Sequence, residues 1–339
     1  MIILAVESSC DDTCVAILKD KELLSNVVSS QTEFHNKYGG VMPELASRLH
    51  VEKITYVIKE AVSKANITLQ DVDYIAFTVG PGLVGSLHVG MQAAKTLALL
   101  LNKPLVPVHH LAGHIYANRF VSDFKFPLLA LVVSGGNTEL VYMKDELKFE
   151  IVGQTLDDAV GEAYDKVSRL LGTGYPGGPI IDRLAHQGEC IYKLPLPKND
   201  DSLDFSYSGL KSAVINLIHN MNQRNQEFKN EDIAASFQEV ATEILIKKVK
   251  LALKKYPEIK TFVAAGGVSA NSGLRDKLVN LLSNKYKNVE LILPKLALCG
   301  DNAAMIGMCA YYKIISNQFN NDLEISAMPQ YMLEDFSNN

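Results

Sequence analysis

The segment Leu4-Ala-Val-Glu-Ser-Ser-Cys-Asp-Asp-Thr-Cys-Val-Ala-Ile-Leu-Lys-Asp20 recurs 125 residues later as Leu129-Ala-Leu-Val-Val-Ser-Gly-Gly-Asn-Thr-Glu-Leu-Val-Tyr-Met-Lys-Asp145. Six positions are identical, including one serine and one threonine in each central turn. Each copy joins two apolar runs through a tight polar turn, which is the pattern of a β-hairpin. Because both copies keep one register without gaps, an internal duplication is favoured over two unrelated hairpins.

Outside the hairpins, β-rich and helical patterns alternate, which is typical of an α/β fold with mixed sheets. The predicted strands are 74–79, 104–108, 260–265 and 289–293, and helices are predicted near 86–101 and 232–254. Residues 150–230 show no clear strand and carry glycines and prolines between 172 and 179, so they predict a helical insertion with a rigid loop.

These patterns predict two lobes. The first covers 1–125, with a helix at 302–317 packing back on it. The second covers 126–301 and includes the insertion at about 150–235.

The bulk properties are typical of a globular protein with reduced, cytosolic thiols. The chain has 339 residues, of which 47% are hydrophobic and 21% charged. Its five cysteines form no C-x-x-C pair, so neither a zinc cage nor a disulfide framework is predicted. The sequence opens on an apolar run without a basic leader, and no apolar run approaches the length of a membrane span, so we expect neither export nor membrane insertion.

The net charge of −5 argues against a general electrostatic attraction to nucleic acid, so any RNA contact must come from a local patch. The densest basic segment, 247–255, alternates lysines with apolar residues at helical spacing. This pattern favours a solvated helix face over an RNA-binding site.

Two common nucleotide motifs do not apply. Gly80-Pro-Gly-Leu-Val-Gly85 matches G-x-G-x-x-G, but it lacks the acidic residue about 20 positions downstream that the dinucleotide fingerprint needs. A structural turn between strand and helix is the better interpretation. The P-loop pattern is absent from the sequence, which argues against the commonest class of NTPase.

Metal chemistry is indicated by His109-His110-Leu-Ala-Gly-His114. His110 and His114 stand at i and i+4, so they share one helix face at a spacing suited to one metal ion, while His109 points elsewhere. The alternative is a histidine cluster at a helix start without metal. No glutamate lies between the two histidines, which argues against a metallopeptidase of the H-E-x-x-H type.

Asp301 is the candidate third ligand, since it begins an alanine-rich helix; its alternative role is that of an N-cap. Two imidazoles and a carboxylate suit Fe(II) or Zn(II) acting as a Lewis acid. Asp11 and Asp12 could join through water, or they could serve only the chemistry of the hairpin turn. A second glycine-rich loop, at Gly266 and Gly267, could lie against an adenine, with Asn271 hydrogen-bonding the base or ribose.

Nine motifs occur along the chain in the same order as in one known family. They are Glu7-Ser-Ser-Cys-Asp-Asp-Thr13, Gly40-Val-Met-Pro-Glu-Leu-Ala-Ser-Arg48, Gly80-Pro-Gly-Leu-Val-Gly-Ser86, His110-Leu-Ala-Gly-His114, Ser134-Gly-Gly-Asn-Thr138, Leu156-Asp-Asp-Ala-Val-Gly-Glu-Ala-Tyr-Asp-Lys166, Gly174-Tyr-Pro-Gly-Gly-Pro179, Phe205-Ser-Tyr-Ser-Gly-Leu-Lys211 and Gly266-Gly-Val-Ser-Ala-Asn271. The chain resembles the bacterial tRNA N6-adenosine threonylcarbamoyltransferases (the TsaD family), formerly called O-sialoglycoprotein endopeptidases, over nearly its whole length.

The resemblance implies a duplicated actin/hexokinase/Hsp70-like (ASKHA, RNase H-like) fold. It also implies transfer of threonylcarbamoyl from threonylcarbamoyl-AMP to adenosine 37 of tRNAs that read ANN codons, which forms t6A and releases AMP. Implied partners are tRNA, a shorter homologous subunit of the same fold (TsaB-like) and a P-loop ATPase (TsaE-like). An actin-like small-molecule kinase and a metallopeptidase remain as alternative functions.

The resemblance also assigns roles to residues. His110, His114 and Asp301 look like ligands of one Fe(II) per subunit, with Zn(II) as the alternative metal. The adenylate-binding residues would be Val132, Val133, Ser134, Gly135, Gly136, Asp165, Gly178, Asp182 and Asn271. Asp11 is our candidate for assisting proton removal. Two positions depart from the family pattern: Asn137 stands where histidine is common, which predicts an orienting role, and Asp12 stands where glutamate is usual.

Overall fold

The structure is a computed structural model that describes residues 1–319 and 321–337, and the chain divides into two compact units. The first unit contains Met1–Asp123, Asp145–Glu150 and the chain from Pro294 onward. The second contains Phe124–Lys144 and Ile151–Leu293. Residues 294–301, assigned to the second lobe by the sequence, thus pack with the first unit.

The first unit is built on a five-stranded mixed sheet. Its strands are β1 (Ile2–Glu7), β2 (Asp12–Lys19), β3 (Glu22–Ser30), β4 (Tyr74–Gly80) and β5 (Leu105–His109). The order is β3-β2-β1-β4-β5, with β1, β2 and β3 antiparallel and β4 and β5 added in parallel. The hairpin predicted from the first copy of the repeat is the β1–β2 pair.

The second unit contains the same arrangement. Its strands are β6 (Leu128–Val133), β7 (Thr138–Met143), β8 (Glu150–Gln154), β9 (Thr261–Ala265) and β10 (Glu290–Ile292). Taken from its β8 edge, the order is β8-β7-β6-β9-β10, which matches the order β3-β2-β1-β4-β5 of the first sheet strand for strand. The duplication therefore extends beyond the hairpins to the whole sheet. Strand β8 lies within residues 150–230, for which the sequence predicts no strand.

Helices cover both sheets. They are α1 (Thr32–Asn36), α2 (Pro43–Lys64), α3 (Val84–Leu101), α4 (His110–Tyr116), α5 (Val160–Leu170), α6 (Gly177–Ala185), α7 (Ser208–Gln223), α8 (Asn230–Lys255), α9 (Ser272–Lys285), α10 (Ala303–Ile315) and α11 (Leu333–Phe336). Helix α10 packs on β1, β2 and α4 within the first unit. In both copies, the hairpin threonine anchors a helix: Thr13 hydrogen-bonds His50 of α2, and Thr138 accepts the Val160 N–H at the start of α5.

Helix α3 is long and apolar enough, by length and composition, to cross a membrane, so the expectation that no run approaches that length is wrong. A core helix passes the same test. In this structure α3 packs on α2 and β4, with Leu87, Met91 and Ala94 in the core of the first unit.

Lys313 of α10 is a buried cation that limits stability. Its side chain is 4% exposed; its Nζ donates to the Pro107 carbonyl at 3.2 Å and lies over the Phe336 ring. Burial lowers its pKa to about 8. The unfolded lysine keeps its proton up to its ordinary pKa, so the folded protein gains stability as the pH rises from about 8 toward that value.

We therefore expect Lys313→Met to stabilise the protein at pH 7 by about 1–3 kcal/mol, since methionine removes the charged group and keeps the volume. The advantage should shrink at pH 10, where the wild-type lysine is largely neutral. Urea unfolding at both pH values measures this, with the exposed Lys19→Met as the control. A variant less stable than wild type at pH 7, or an advantage independent of pH, would contradict the account.

Candidate metal centre and nucleotide site

Strand β5 leads directly into helix α4, which presents two imidazoles on one side. His110 and His114 stand one turn apart and are 7% and 1% exposed. His109 points elsewhere, as predicted: its Nδ1 accepts the Leu111 N–H at 3.1 Å, and its Nε2 donates to the Tyr331 carbonyl at 3.0 Å. His109 thus caps the helix, and the other two imidazoles can act together.

Asp301 meets these histidines, and it is not the helix cap. The cap of α10 is Asn302, whose Oδ1 accepts the Met305 N–H at 3.0 Å. Asp301 Oδ1 lies 3.1 Å from His114 Nε2 and 3.5 Å from His110 Nε2. One ligand atom from each of the three residues lies within 4.8 Å of the others.

The electrostatics of this cluster suit a cation. Burial lowers the pKa of both histidines, but the carboxylates of Asp301 and Glu7 outweigh it at His110 and raise that pKa to about 9. At His114 burial prevails, and its pKa is lowered. Burial raises the pKa of Asp301, yet the two histidines outweigh it and bring the pKa to about 2. Two imidazoles and an ionised carboxylate that converge in this way fit a divalent transition metal.

Two further side chains, which the sequence analysis missed, lie behind His110. Glu7 Oε2 and Ser9 Oγ each lie 3.1 Å from His110 Nδ1. Both belong to the first hairpin motif, but no spacing rule connects them with a histidine about a hundred residues away.

Asp11 and Asp12 lie at the turn between β1 and β2, which is held from two sides. His50 Nε2 donates to the Cys10 carbonyl at 3.0 Å, and the Gln31 N–H donates to the Asp11 carbonyl at 3.1 Å. Burial raises the pKa of both carboxyls, that of Asp12 to about 7. Each therefore binds a proton more tightly than an ordinary carboxylate, which suits a proton acceptor.

In the second unit, the predicted adenylate-binding turn joins β6 to β7. Val132 and Val133 are fully buried strand residues, so their side chains belong to the core rather than to a ligand site. The Ser134 N–H donates to the Asn137 carbonyl at 2.9 Å, and the Ser134 hydroxyl accepts the Asn137 N–H at 3.1 Å. Asn137 thus closes the turn, and its orienting role stays a prediction.

Glycines around this turn fall into two groups. A Cβ on Gly161 or Gly266 would overlap a backbone carbonyl, and Gly266 also has a φ of +89°, so glycine is required at both positions. The second group faces open space: a Cβ would meet no atom within 4 Å at Gly135, Gly136, Gly178 and Gly267. Bare backbone of this kind allows a phosphate or a planar base to approach closely.

Asp182 and Asn271 belong to one hydrogen-bonded node. Asn271 caps α9 by accepting the Leu274 N–H at 2.9 Å, and its Nδ2 donates to Asp182 at 3.1 Å. The same Nδ2 donates to Gln238 Oε1 at 2.8 Å. Asp182 also accepts from Gln238 Nε2 at 2.9 Å and from the Ser272 hydroxyl at 2.8 Å. Gln238 and Ser272 complete the node, and the sequence analysis missed both.

Asp165, also predicted to bind adenylate, makes a separate contact. Its Oδ1 accepts the Gly177 N–H at 2.6 Å, at the start of α6 and beside Gly178. It therefore fixes the backbone that carries one of the open glycines.

Two sequence patterns have structural roles. In the glycine motif after β4, the Gly82 N–H donates to the Pro329 carbonyl and the Leu83 N–H to the Ser9 carbonyl, so both amides are already used within the protein. The basic face of α8 is only partly solvated: Lys248 is 1% exposed and donates to Asp200 Oδ1 at 2.9 Å.

Comparison with known proteins gives a consistent family. The model of a family described as tRNA N6-adenosine threonylcarbamoyltransferase (TsaD) matches residues 22–308. A relative of that name from Listeria welshimeri is 53% identical over 336 residues, covering 98% of this chain and 97% of the relative. Another, from Bacillus cereus, is 57% identical over 315 residues and covers 91% of each chain.

Two solved structures share the fold. Full-length HypF, in a phosphate- and nucleotide-bound form, has a TM-score of 0.61 at 15% identity, covering 94% of this chain and 47% of that one. The activator of 2-hydroxyisocaproyl-CoA dehydratase from Clostridium difficile, with bound ADPNP, has a TM-score of 0.53 at 15% identity, covering 95% and 99%. Likeness at this identity shows fold alone, and with the repeated sheet it confirms the predicted ASKHA-type architecture.

Proposed function

The chain belongs to the tRNA N6-adenosine threonylcarbamoyltransferase family, and from this premise we propose that it transfers threonylcarbamoyl from threonylcarbamoyl-AMP to N6 of adenosine 37 in tRNAs that read ANN codons. The products are t6A and AMP. One observation carries the proposal: His110 and His114 of α4 both face the same carboxylate oxygen of Asp301, which lies far from them in the sequence.

His110, His114 and Asp301 would hold the metal, which we take to be one Fe(II) per subunit, with Zn(II) as the alternative. When bound, such an ion supplies a Lewis acid that polarises the carbamoyl carbonyl. Every other part of the reaction is assigned to side chains and backbone groups of the chain itself.

Binding of the donor is assigned to the second unit. The open glycines of the β6–β7 turn, α6 and the loop after β9 would receive the phosphate and adenine, and the Asp182–Asn271 node would hydrogen-bond the nucleoside. The likeness to a dehydratase activator that binds ADPNP supports a nucleotide in this fold. Fixing the nucleotide holds its acyl group in place for attack.

The chemistry is a substitution at an activated carbonyl. The adenine N6 amine is a weak nucleophile, because its lone pair is delocalised into the ring. The N6–C bond forms as the C–O bond to phosphate breaks, AMP leaves with that electron pair, and one proton leaves N6. Asp11 would accept this proton, since burial raises its pKa above that of an ordinary carboxyl group. Asp12, one residue on, would act through water.

The acceptor must reach this site as a single base. Adenosine 37 lies in the anticodon loop, so we propose that it leaves the stack before reaction. We further propose that the chain works in the cytoplasm with a shorter subunit of the same fold (TsaB-like) and a P-loop ATPase (TsaE-like).

Two alternative functions are less favoured. A kinase of this fold would use Mg(II) and carboxylates rather than a pair of histidines. A metallopeptidase of the H-E-x-x-H type would need a glutamate between the histidines, where this chain has Leu111, Ala112 and Gly113.

The release of AMP distinguishes these functions. We expect AMP to appear from threonylcarbamoyl-AMP only when the chain, its two partner proteins and unmodified tRNA are all present. The control tRNA carries guanosine at position 37. Transfer of the γ-phosphate of ATP to a small molecule without tRNA would indicate the kinase instead, and AMP release that does not depend on tRNA would contradict the transferase.

A further inference from the structure

Glu7 is a buried carboxylate that the proposed reaction leaves without a role. It ends strand β1 and is 0% exposed. Burial of a charged carboxylate is strongly unfavourable unless other groups hydrogen-bond or pair with it. Its partners therefore indicate what the residue is for.

Glu7 is held in place by two donors and faces one imidazole. Its Oε1 accepts the Ser9 N–H at 2.5 Å, and its Oε2 accepts the Thr78 hydroxyl proton. The same Oε2 lies 3.1 Å from His110 Nδ1. The oxygens of an ionised carboxylate can only accept, so Nδ1 carries the proton and donates it to Glu7.

This hydrogen bond decides which nitrogen of His110 is available. A histidine that binds a metal ion must be neutral, and the single proton that His110 then keeps lies on Nδ1. The lone pair is therefore on Nε2, the atom that faces Asp301 at 3.5 Å. His114 differs: among the described residues, its buried Nδ1 has no hydrogen-bond partner. The two predicted histidine ligands are therefore supported unequally, and the support comes from a residue of the first hairpin.

We propose that Glu7 is a positioning residue of the metal centre, which fixes the ring and the tautomer of His110 and thereby strengthens metal binding. The proposal rests on the metal site of the proposed function. A carboxylate behind a histidine ligand has this effect in metal sites generally, and its loss weakens affinity by about 10–100-fold.

Titration of the purified full-length chain with Co(II), followed by visible absorption, tests the proposal. Glu7→Gln should bind Co(II) about 10–100-fold more weakly than wild type, with altered absorption bands. Thr78→Val is the matched control, because it removes a hydrogen bond from the same carboxylate oxygen without touching His110, and its affinity and bands should stay close to wild type.

Each other outcome decides against the proposal. Wild-type affinity and bands in Glu7→Gln would overturn it, and so would an equal loss in Thr78→Val, which would show that Glu7 only packs. If Glu7→Gln does not fold, Glu7→Asp retains the charge but retracts it by one methylene, and wild-type binding there would overturn the idea. Failure of the wild-type chain to bind Co(II) would contradict the metal site itself, and with it the proposed function. The outcomes for the Glu7 and Thr78 variants concern only the role of Glu7 and leave the transferase proposal intact.

Discussion

His110→Ala is expected to abolish threonylcarbamoyl transfer almost completely. The variant loses one of three converging ligands and leaves Glu7 and Asp301 without the imidazole that both contact. Loss of the metal would remove several kcal/mol of transition-state stabilisation, a fall in kcat/KM of about 10²–10⁴-fold. The assay is initial rate with labelled threonylcarbamoyl-AMP, unmodified tRNA and the partner proteins.

The controls separate chemistry from folding. His219→Ala removes an exposed histidine of α7 and should leave the rate near wild type. Metal content should fall in His110→Ala, while AMP binding by the second unit should remain. A variant with full metal content and full activity would refute the assigned ligand, and loss of AMP binding as well would point to misfolding instead.

Asp182→Asn should weaken nucleotide binding. The carboxylate accepts hydrogen bonds from Asn271, Gln238 and Ser272, and an amide in its place would leave at least one donor unpaired. At about 1.5–3 kcal/mol for a hydrogen bond to a charged group, Kd for AMP should rise roughly 10–100-fold.

Calorimetric titration with AMP measures this directly, and Asp276→Asn, an exposed change of the same kind on helix α9, is the control. In the transfer assay, KM for the donor should rise more than kcat falls, since we propose that the node contacts the nucleoside and not the reacting atoms. An unchanged Kd would mean that the node only supports α9 and that the nucleotide binds elsewhere.

Local pattern was enough to predict the centre of the fold. The hairpin repeat predicted β1–β2 and β6–β7, because period and turn chemistry are properties of short segments. Strand β8 was missed, since Glu-Ile-Val-Gly-Gln at 150–154 is short and its glycine weakens the strand pattern. It forms because β7 offers a free edge, and no local pattern contains that information.

Some residues of the candidate site could likewise be predicted from local sequence, and others could not. His110 and His114 were predicted from helical spacing alone, whereas Asp301 stayed balanced between ligand and cap until the structure placed Asn302 in the capping role. The pairing of Glu7 with His110 depends on how β1 and α4 pack, so sequence spacing could not reveal it.

The burial of individual side chains also depends on tertiary packing and not on local sequence. Lys248 belongs to a lysine-rich helix face, yet it is 1% exposed, and its ammonium group donates to Asp200 Oδ1 and to the Ser202 carbonyl. Val132 and Val133 belong to the predicted adenylate-binding motif, but as strand residues they are buried in the core.

The central claim is transfer to one atom of one nucleotide, and nucleoside mass spectrometry tests it most directly. Unmodified tRNA and a matched tRNA with guanosine at position 37 are incubated with labelled threonylcarbamoyl-AMP, the chain and its partner proteins, then digested to nucleosides. We predict labelled t6A from the first tRNA and no labelled nucleoside from the second. Absence of t6A with a folded, metal-loaded chain, or label in both tRNAs, would contradict the account.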